Sequence, residues 1–254
     1  SHCISLHSGL AKFCEGSLPG HFDPIRHILA CPAPPPTDPP RLGDVTDALR
    51  TYIESTSDVS EALATARRDA EEFGLRVPDE MTGQLLTTLA AASANDRSTG
   101  AVAVTPAAGV VGLYLLRGLG DTGTLTCIDP EAEHQTQARA TFRDAGFAPS
   151  RARFLPSRPL DVMGRLANGA YQVIYVEVPP VELPTVITTA WPLLTQGGTL
   201  VLADALLDGT LADESRRDRD TAAAREADEL ARSLEGALVT RLPLGAGLTL
   251  ITRA

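Results

Sequence analysis

The chain has 254 residues, with 22 basic against 32 acidic side chains, a formal charge of −10 and an isoelectric point near 4.9. That balance excludes a protein that binds by neutralising phosphates with a broad basic face, so no nucleic-acid partner is expected. Hydrophobic residues make up 43%, and no stretch reaches the ~20 apolar residues of a bilayer span, so no membrane partner is expected either.

The first 42 residues differ in composition from the rest. They hold Cys3, Cys14 and Cys31, His2, His7, His21 and His27, and the only lysine, Lys12. Their three bases (Lys12, Arg26, Arg41) balance three acids (Glu15, Asp23, Asp38), so the whole −10 belongs to residues 43–254. The stretch has no apolar periodicity and closes with Cys31-Pro-Ala-Pro-Pro-Pro-Thr-Asp-Pro-Pro40, a stiff polyproline-type linker. The cysteines lack the paired C-x2-4-C spacing of a zinc site, and no apolar core of a secretory signal follows a basic start. Residues 1–42 read as a disordered extension, and 43–254 as one domain with cap helices over 43–95 and a sheet core over 100–254.

Val45–Glu54, Asp58–Phe73 and Asp79–Ala92 read as amphipathic helices, the second capped by Ser57/Asp58 and closed by Gly74. The period then changes. Gly100–Thr105, Thr124–Asp129, Arg153–Leu155, Tyr171–Val176 and Thr199–Leu202 are short apolar runs of strand type. Helical stretches separate them, over Ala108–Leu119, Pro130–Ala145, Leu160–Ala167 and Val181–Leu194. This alternation predicts a parallel sheet covered by helices on both faces. A charged helix over Ala212–Leu234 is followed by Val239–Pro243 and Leu248–Arg253, joined by Gly245-Ala-Gly247. So short a turn joins antiparallel strands, and the sheet should end in a hairpin.

In such an α/β sheet the ligand lies across the carboxyl ends of the strands, and an acid ending the second strand binds a ribose. Asp129 stands there; its other reading is an N-cap for 130–145. The turn Val104-Thr-Pro-Ala-Ala-Gly109 suits a dinucleotide poorly, because Pro106 has no N–H and Ala107 adds a methyl where pyrophosphate must approach backbone amides. Cys127 reads as a small buried strand residue in a reducing cytoplasm. His134 reads as an exposed helix residue, Tyr114 and Trp191 as packing, and Arg216-Arg-Asp-Arg219 as a solvated helix face.

Thr105–Leu116, Thr126-Cys-Ile-Asp-Pro-Glu131, Leu193-Leu-Thr-Gln-Gly-Gly198, Leu206-Leu-Asp-Gly209 and Leu242-Pro-Leu-Gly-Ala-Gly-Leu248, in that order and at those gaps, resemble the catechol-type (family 3) O-methyltransferases, most of all their actinobacterial branch. The resemblance covers about 45–254. It implies a Rossmann-like class I methyltransferase fold, a seven-stranded, mostly parallel sheet of order 3-2-1-4-5-7-6 with N-terminal helices. It further implies S-adenosylmethionine as the cofactor, a small hydroxylated molecule as the methyl acceptor, and a cytoplasmic homodimer. Asp129 and Pro130 would meet the ribose. Thr105, Pro106, Ala107, Gly109 and Val111 would cradle the methionine part, Ser157 and Arg158 would approach the adenine, and Met81 would lie on the helix that covers the site. Glu177 would stand beside the methyl donor.

The chain departs from that family in three places. The family's first strand ends Glu-x-Gly-x-Gly-x-Gly, where this chain has Ala103-Val-Thr-Pro-Ala-Ala-Gly109. The acid that accepts the donor's amino group is gone, and the Thr105 hydroxyl is its nearest replacement. The divalent-cation ligands, an Asp after strand four and an Asp-Asn pair after strand five, fall on Glu177, Ala203 and Asp204. One ligand is missing, and no metal is expected. Val178-Pro-Pro180 replaces the family's second acid and lysine, so Glu177 and Asp204 remain as the acid–base groups. The other functional reading is an altered methyltransferase fold that holds a nucleotide-like ligand or a protein partner without turnover.

Overall fold

The computed structural model describes residues 42–92 and 100–254. The extension and linker expected over residues 1–42, with the cysteines in it, lie outside the described residues except for Leu42, which opens the first helix. Three helices come first, α1 (Leu42–Thr56), α2 (Glu61–Glu72) and α3 (Glu80–Ala92). The alternating part comes next as β1 (Gly100–Val104), α4 (Ala108–Gly118), β2 (Thr124–Ile128), α5 (Ala132–Asp144), β3 (Ala152–Leu155), α6 (Pro159–Val162), β4 (Tyr171–Val176), α7 (Leu183–Ala190) and β5 (Leu194–Leu202). The helix α8 (Arg219–Ser233) then leads to β6 (Ala237–Leu242) and β7 (Leu248–Arg253).

The strands form one seven-stranded sheet of order β3-β2-β1-β4-β5-β7-β6, as expected. Strands β1 to β5 pair in parallel, and β7 runs antiparallel to both β5 and β6. Strand side chains alternate in direction, and the core follows that alternation. Ala101, Ala103, Leu125, Cys127, Val173 and Tyr175 face one core, shared with α2, α3, α4 and α5. Val102, Val104, Ile128, Ile174, Val176 and Leu202 face the other, shared with α7 and α8. Strands covered on both faces are apolar throughout, and every residue of β1 and β4 is buried.

Several element ends differ from expectation for local reasons. Ser57 donates to the Ile53 carbonyl (2.6 Å) and so closes α1; Ser60 is the N-cap of α2, its hydroxyl accepting from the Leu63 amide (3.2 Å). The charged helix begins at Arg219 instead of Ala212, because Asp213 and Asp218 are extended (ψ 97° and 155°) and Asp218 caps α8 through the Thr221 amide. Residues 216–218 are therefore exposed loop. The stretch 160–167 holds only the short α6 and a following 3-10 turn, and the helix expected over 181–194 is α7 flanked by 3-10 turns, with β5 already begun at Leu194.

A buried polar cluster joins the first helices to the sheet layer. The Tyr114 hydroxyl on α4 donates to Glu80 (2.6 Å) and accepts from Arg67 (2.8 Å) on α2. Burial and the Glu80 carboxylate push the Tyr114 phenol up to about 12. Arg67 also donates to the Pro78 carbonyl (3.1 Å), which ties down the loop between α2 and α3. Gly83 lies directly against this tyrosine, and a Cβ there would overlap the ring. Gly83→Ala gains ~1 kcal/mol of helix propensity but overpacks a pinned ring, so a net loss of about 1–2 kcal/mol is expected. Urea unfolding should show a lower midpoint at unchanged slope.

Candidate functional site

The parallel strands end together and leave a cleft of about 590 Å³ along their carboxyl edge, within the range of small-molecule sites. Backbone bonds continue the ladder past the strand ends and fix what stands there. The Glu177 amide donates to the Val104 carbonyl (2.8 Å), and the Ala203 amide to the Val176 carbonyl (2.9 Å). Thr105, Asp129 and Glu177, from the ends of β1, β2 and β4, all line the cleft, together with Pro106, Pro130, Arg158, Asp161 and Glu182. Four acids thus face one arginine, which suits a cationic ligand.

The Thr105 hydroxyl links two of these ends. It donates to Glu177 Oε2 (2.7 Å) and accepts from the Ala107 amide (3.1 Å). Its hydrogen is committed to Glu177, so the carboxylate at this edge of β1 comes from the neighbouring strand β4. Burial pushes the Glu177 carboxyl above its ordinary range; the Thr105 hydrogen bond and Arg76 pull it down, and Asp204 pushes it up.

Asp129 is 5% exposed. It does not cap the following helix, whose N-cap is Glu131 with no side-chain bond. Its Oδ2 lies 2.7 Å from His134 Nδ1, a contact in which the imidazole nitrogen donates to the carboxylate. Burial raises the Asp129 carboxyl, and the His134 hydrogen bond and charge oppose that. His134 is therefore half-buried and partnered, not the exposed residue expected. Gln135 donates to the carbonyls of Asp129 (2.9 Å) and Leu155 (2.7 Å), clamping the ends of β2 and β3.

A second, smaller pocket of about 50 Å³ adjoins the cleft through Glu177 and is lined by Arg76, Asp79, Thr82, Tyr175 and Asp204, among others. Asp204 follows β5 in a left-handed conformation (φ 53°). Its Oδ1 accepts from the Ala246 amide (2.9 Å) in the β6–β7 turn. Gly245 (φ +56°) makes that approach feasible, since a Cβ there would lie 2.8 Å from Asp204 Oδ1. Arg76, from the loop between α2 and α3, places Nη1 3.0 Å from Asp204 Oδ2 and Nη2 3.7 Å from Glu177 Oε1.

The expected site residues distribute unevenly. Thr105, Pro106, Asp129, Pro130, Arg158 and Glu177 share the cleft, and Asp204 shares the smaller pocket with Glu177. Ala107 and Gly109 face a separate cavity of about 20 Å³ against α2 and α5, where a Cβ on Gly109 would meet Ala138 and Thr141 only at ordinary contact distance. Val111 is wholly buried in the core. Ser157 and Met81 are half-buried and outside the cleft lining. Arg76 was missed, since a lone arginine in a Gly-Leu-Arg-Val-Pro loop matches no motif. His134 was missed as a partner of Asp129, although an offset of five residues across a strand–helix turn was a usable signal.

No family model matches the chain. A protein of Mycolicibacterium smegmatis named "Putative O-methyltransferase" is 35% identical over 215 residues, spanning 84% of this chain and 100% of that protein. One of the same name from Mycobacterium marinum is 36% identical over 208 residues, spanning 82% and 91%. Among solved structures, a protein of Corynebacterium glutamicum is 65% identical with a TM-score of 0.81, covering 83% of this chain and 97% of its own. The O-methyltransferase TomG of Streptomyces achromogenes, solved with S-adenosylmethionine, shares the fold at 22% identity and a TM-score of 0.72, covering 82% and 96%. Being 35% identical over 215 residues that span the full length of the M. smegmatis protein, the chain belongs to this family of O-methyltransferases.

Proposed function

We propose that the chain is an S-adenosylmethionine-dependent O-methyltransferase of the catechol type that methylates a small hydroxylated molecule. One observation carries the reading: Asp129 and Glu177 end neighbouring parts of the sheet within a single cleft, whose four acids face one arginine. S-adenosylmethionine carries a sulfonium and an ammonium against one carboxylate, and such a cleft favours that net positive charge. In this reading Asp129, oriented by His134, takes the ribose hydroxyls. Thr105 and Pro106 flank the methionine part, Arg158 lies towards the adenine, and Glu177 reaches the ammonium or the acceptor. The cofactor would supply an electrophilic methyl group. The chain's own work is to align an acceptor hydroxyl and receive its proton at a Glu177 oxygen, from which solvent removes it. Asp204 holds Arg76 and the hairpin in place beside that proton. The cytoplasmic homodimer implied by the family resemblance belongs to this proposal as well. Binding without turnover draws no support from the relatives.

Calorimetric titration with S-adenosylmethionine and its demethylated product tests the cofactor; no binding of either at millimolar ligand would remove the reading. Asp129→Ala should weaken donor binding by the ~1.5–3 kcal/mol of a charged hydrogen bond, or about 10- to 150-fold, and unchanged affinity would take Asp129 out of the site.

The pH profile tests Glu177. A carboxylate base works only when ionised, so kcat/KM should rise with pH through a value above the ordinary ~4.3 of a glutamate. Thr105→Val removes a donor to the ionised form and should move that acidic limb to higher pH. A limb that stays put on this substitution would exclude Glu177 as the base.

A further inference from the structure

The ligand positions of the resembled family's divalent cation fall on Glu177, Ala203 and Asp204, and the structure puts a guanidinium between the two acids. Arg76 Nη1 is 3.0 Å from Asp204 Oδ2, and Nη2 is 3.7 Å from Glu177 Oε1. A hard divalent cation needs six or more oxygens at ~2.0–2.6 Å. Here Ala203 offers no side-chain oxygen, Asp204 Oδ1 is engaged by the Ala246 amide, and Glu177 Oε2 is engaged by Thr105. The residues present do not fit a metal; they fit an arginine.

We propose that Arg76 is the resident cation of this site, taking the place that a divalent metal holds in the resembled family and positioning Glu177 and Asp204 beside the acceptor. A guanidinium stays charged at every working pH and carries five donors in a fixed plane. Two of its nitrogens serve the acids, and with 74% of the side chain exposed it has N–H groups left that an acceptor oxygen in the pocket can take. The loop that carries it is held from behind, since Arg67 binds the Pro78 carbonyl (3.1 Å) and Asp79 caps α3 through the Thr82 amide (2.7 Å). Arg76 is thus a positioning residue whose charge is built into the chain instead of recruited from solution. The contact with an acceptor rests on the methyl-transfer reading above; the replacement of a metal by the arginine does not.

The test is Mn²⁺ binding by the whole chain, read by electron paramagnetic resonance and calorimetry with no methyl acceptor present. Removing the guanidinium leaves two facing carboxylates that a divalent cation can bridge with water completing its shell. Arg76→Ala should therefore bind Mn²⁺ at least tenfold more tightly than the unsubstituted chain, and a further Glu177→Gln should abolish the gain. Arg76→Lys, which keeps a cation on the same loop but not the planar set of donors, should bind Mn²⁺ more weakly than Arg76→Ala does. Equal Mn²⁺ affinity of the unsubstituted chain and Arg76→Ala, whether both bind or neither does, would overturn the proposal. A parallel titration with S-adenosylmethionine separates the outcomes, because loss of donor binding by the unsubstituted chain would sink the methyl-transfer reading while leaving the Mn²⁺ result intact.

Discussion

Two carboxylates at the ends of neighbouring parallel strands, partly withdrawn from water, repel each other unless a positive charge is held between them. Much of the molecule can be understood as the means of holding it. Glu177 and Asp204 are fixed by ladder bonds and by the hairpin turn, and the cation comes from outside the sheet, on the loop between α2 and α3. That loop keeps its place because Arg67, Tyr114 and Glu80 bind one another in a buried cluster shared by three helices. The first helices are thus more than a cover, since they deliver the charge that lets the strand ends carry two acids side by side.

The same requirement gives meaning to the composition. Beyond residue 42 the chain has no lysine, and every basic side chain is an arginine. An ammonium is a compact, strongly hydrated charge that shifts its pKa readily when desolvated, whereas a guanidinium stays charged and spans two carboxylates with separate donors. At a point between two partly buried acids, the second kind of cation is the better match.

How much of this could be read beforehand depended on whether a residue's role was local or remote. The strands were legible because burial on both faces demands continuous apolar runs such as Gly100–Val104 and Tyr171–Val176, and the parallel order comes from alternation and handedness. The strand-end residues Thr105, Asp129 and Glu177 were legible in turn, because topology places ligands there. Caps were less legible: Ser57 and Ser60 are chemically the same, and only the geometry of two adjoining helices decides that one closes α1 and the other opens α2. The run 206–209 gives no local sign of the left-handed backbone at Leu207 and Asp208, which goes with a bond across to the hairpin, where the Asp208 amide binds the Ala246 carbonyl (2.9 Å). Arg76 was illegible for the same reason, since its partners are two strands far along the chain. The Ala107 methyl reads as an obstacle to a ligand, but Ala107 is buried and its amide is used by Thr105.

The position of β7 carries a consequence for timing. Although it comes last of the strands in chain order, it lies inside the sheet, between β5 and β6. The four strands that line the cleft, β3-β2-β1-β4, come from one continuous stretch and pair only with one another and with β5. During synthesis, which folds chains from the N-terminal side onward, the Asp129 edge can thus take shape before the Asp204 edge, which waits for the Ala246 amide to emerge. In that order of folding the strand ends around the cleft are in place first, and the smaller pocket beside it is completed only when the hairpin closes over Asp204.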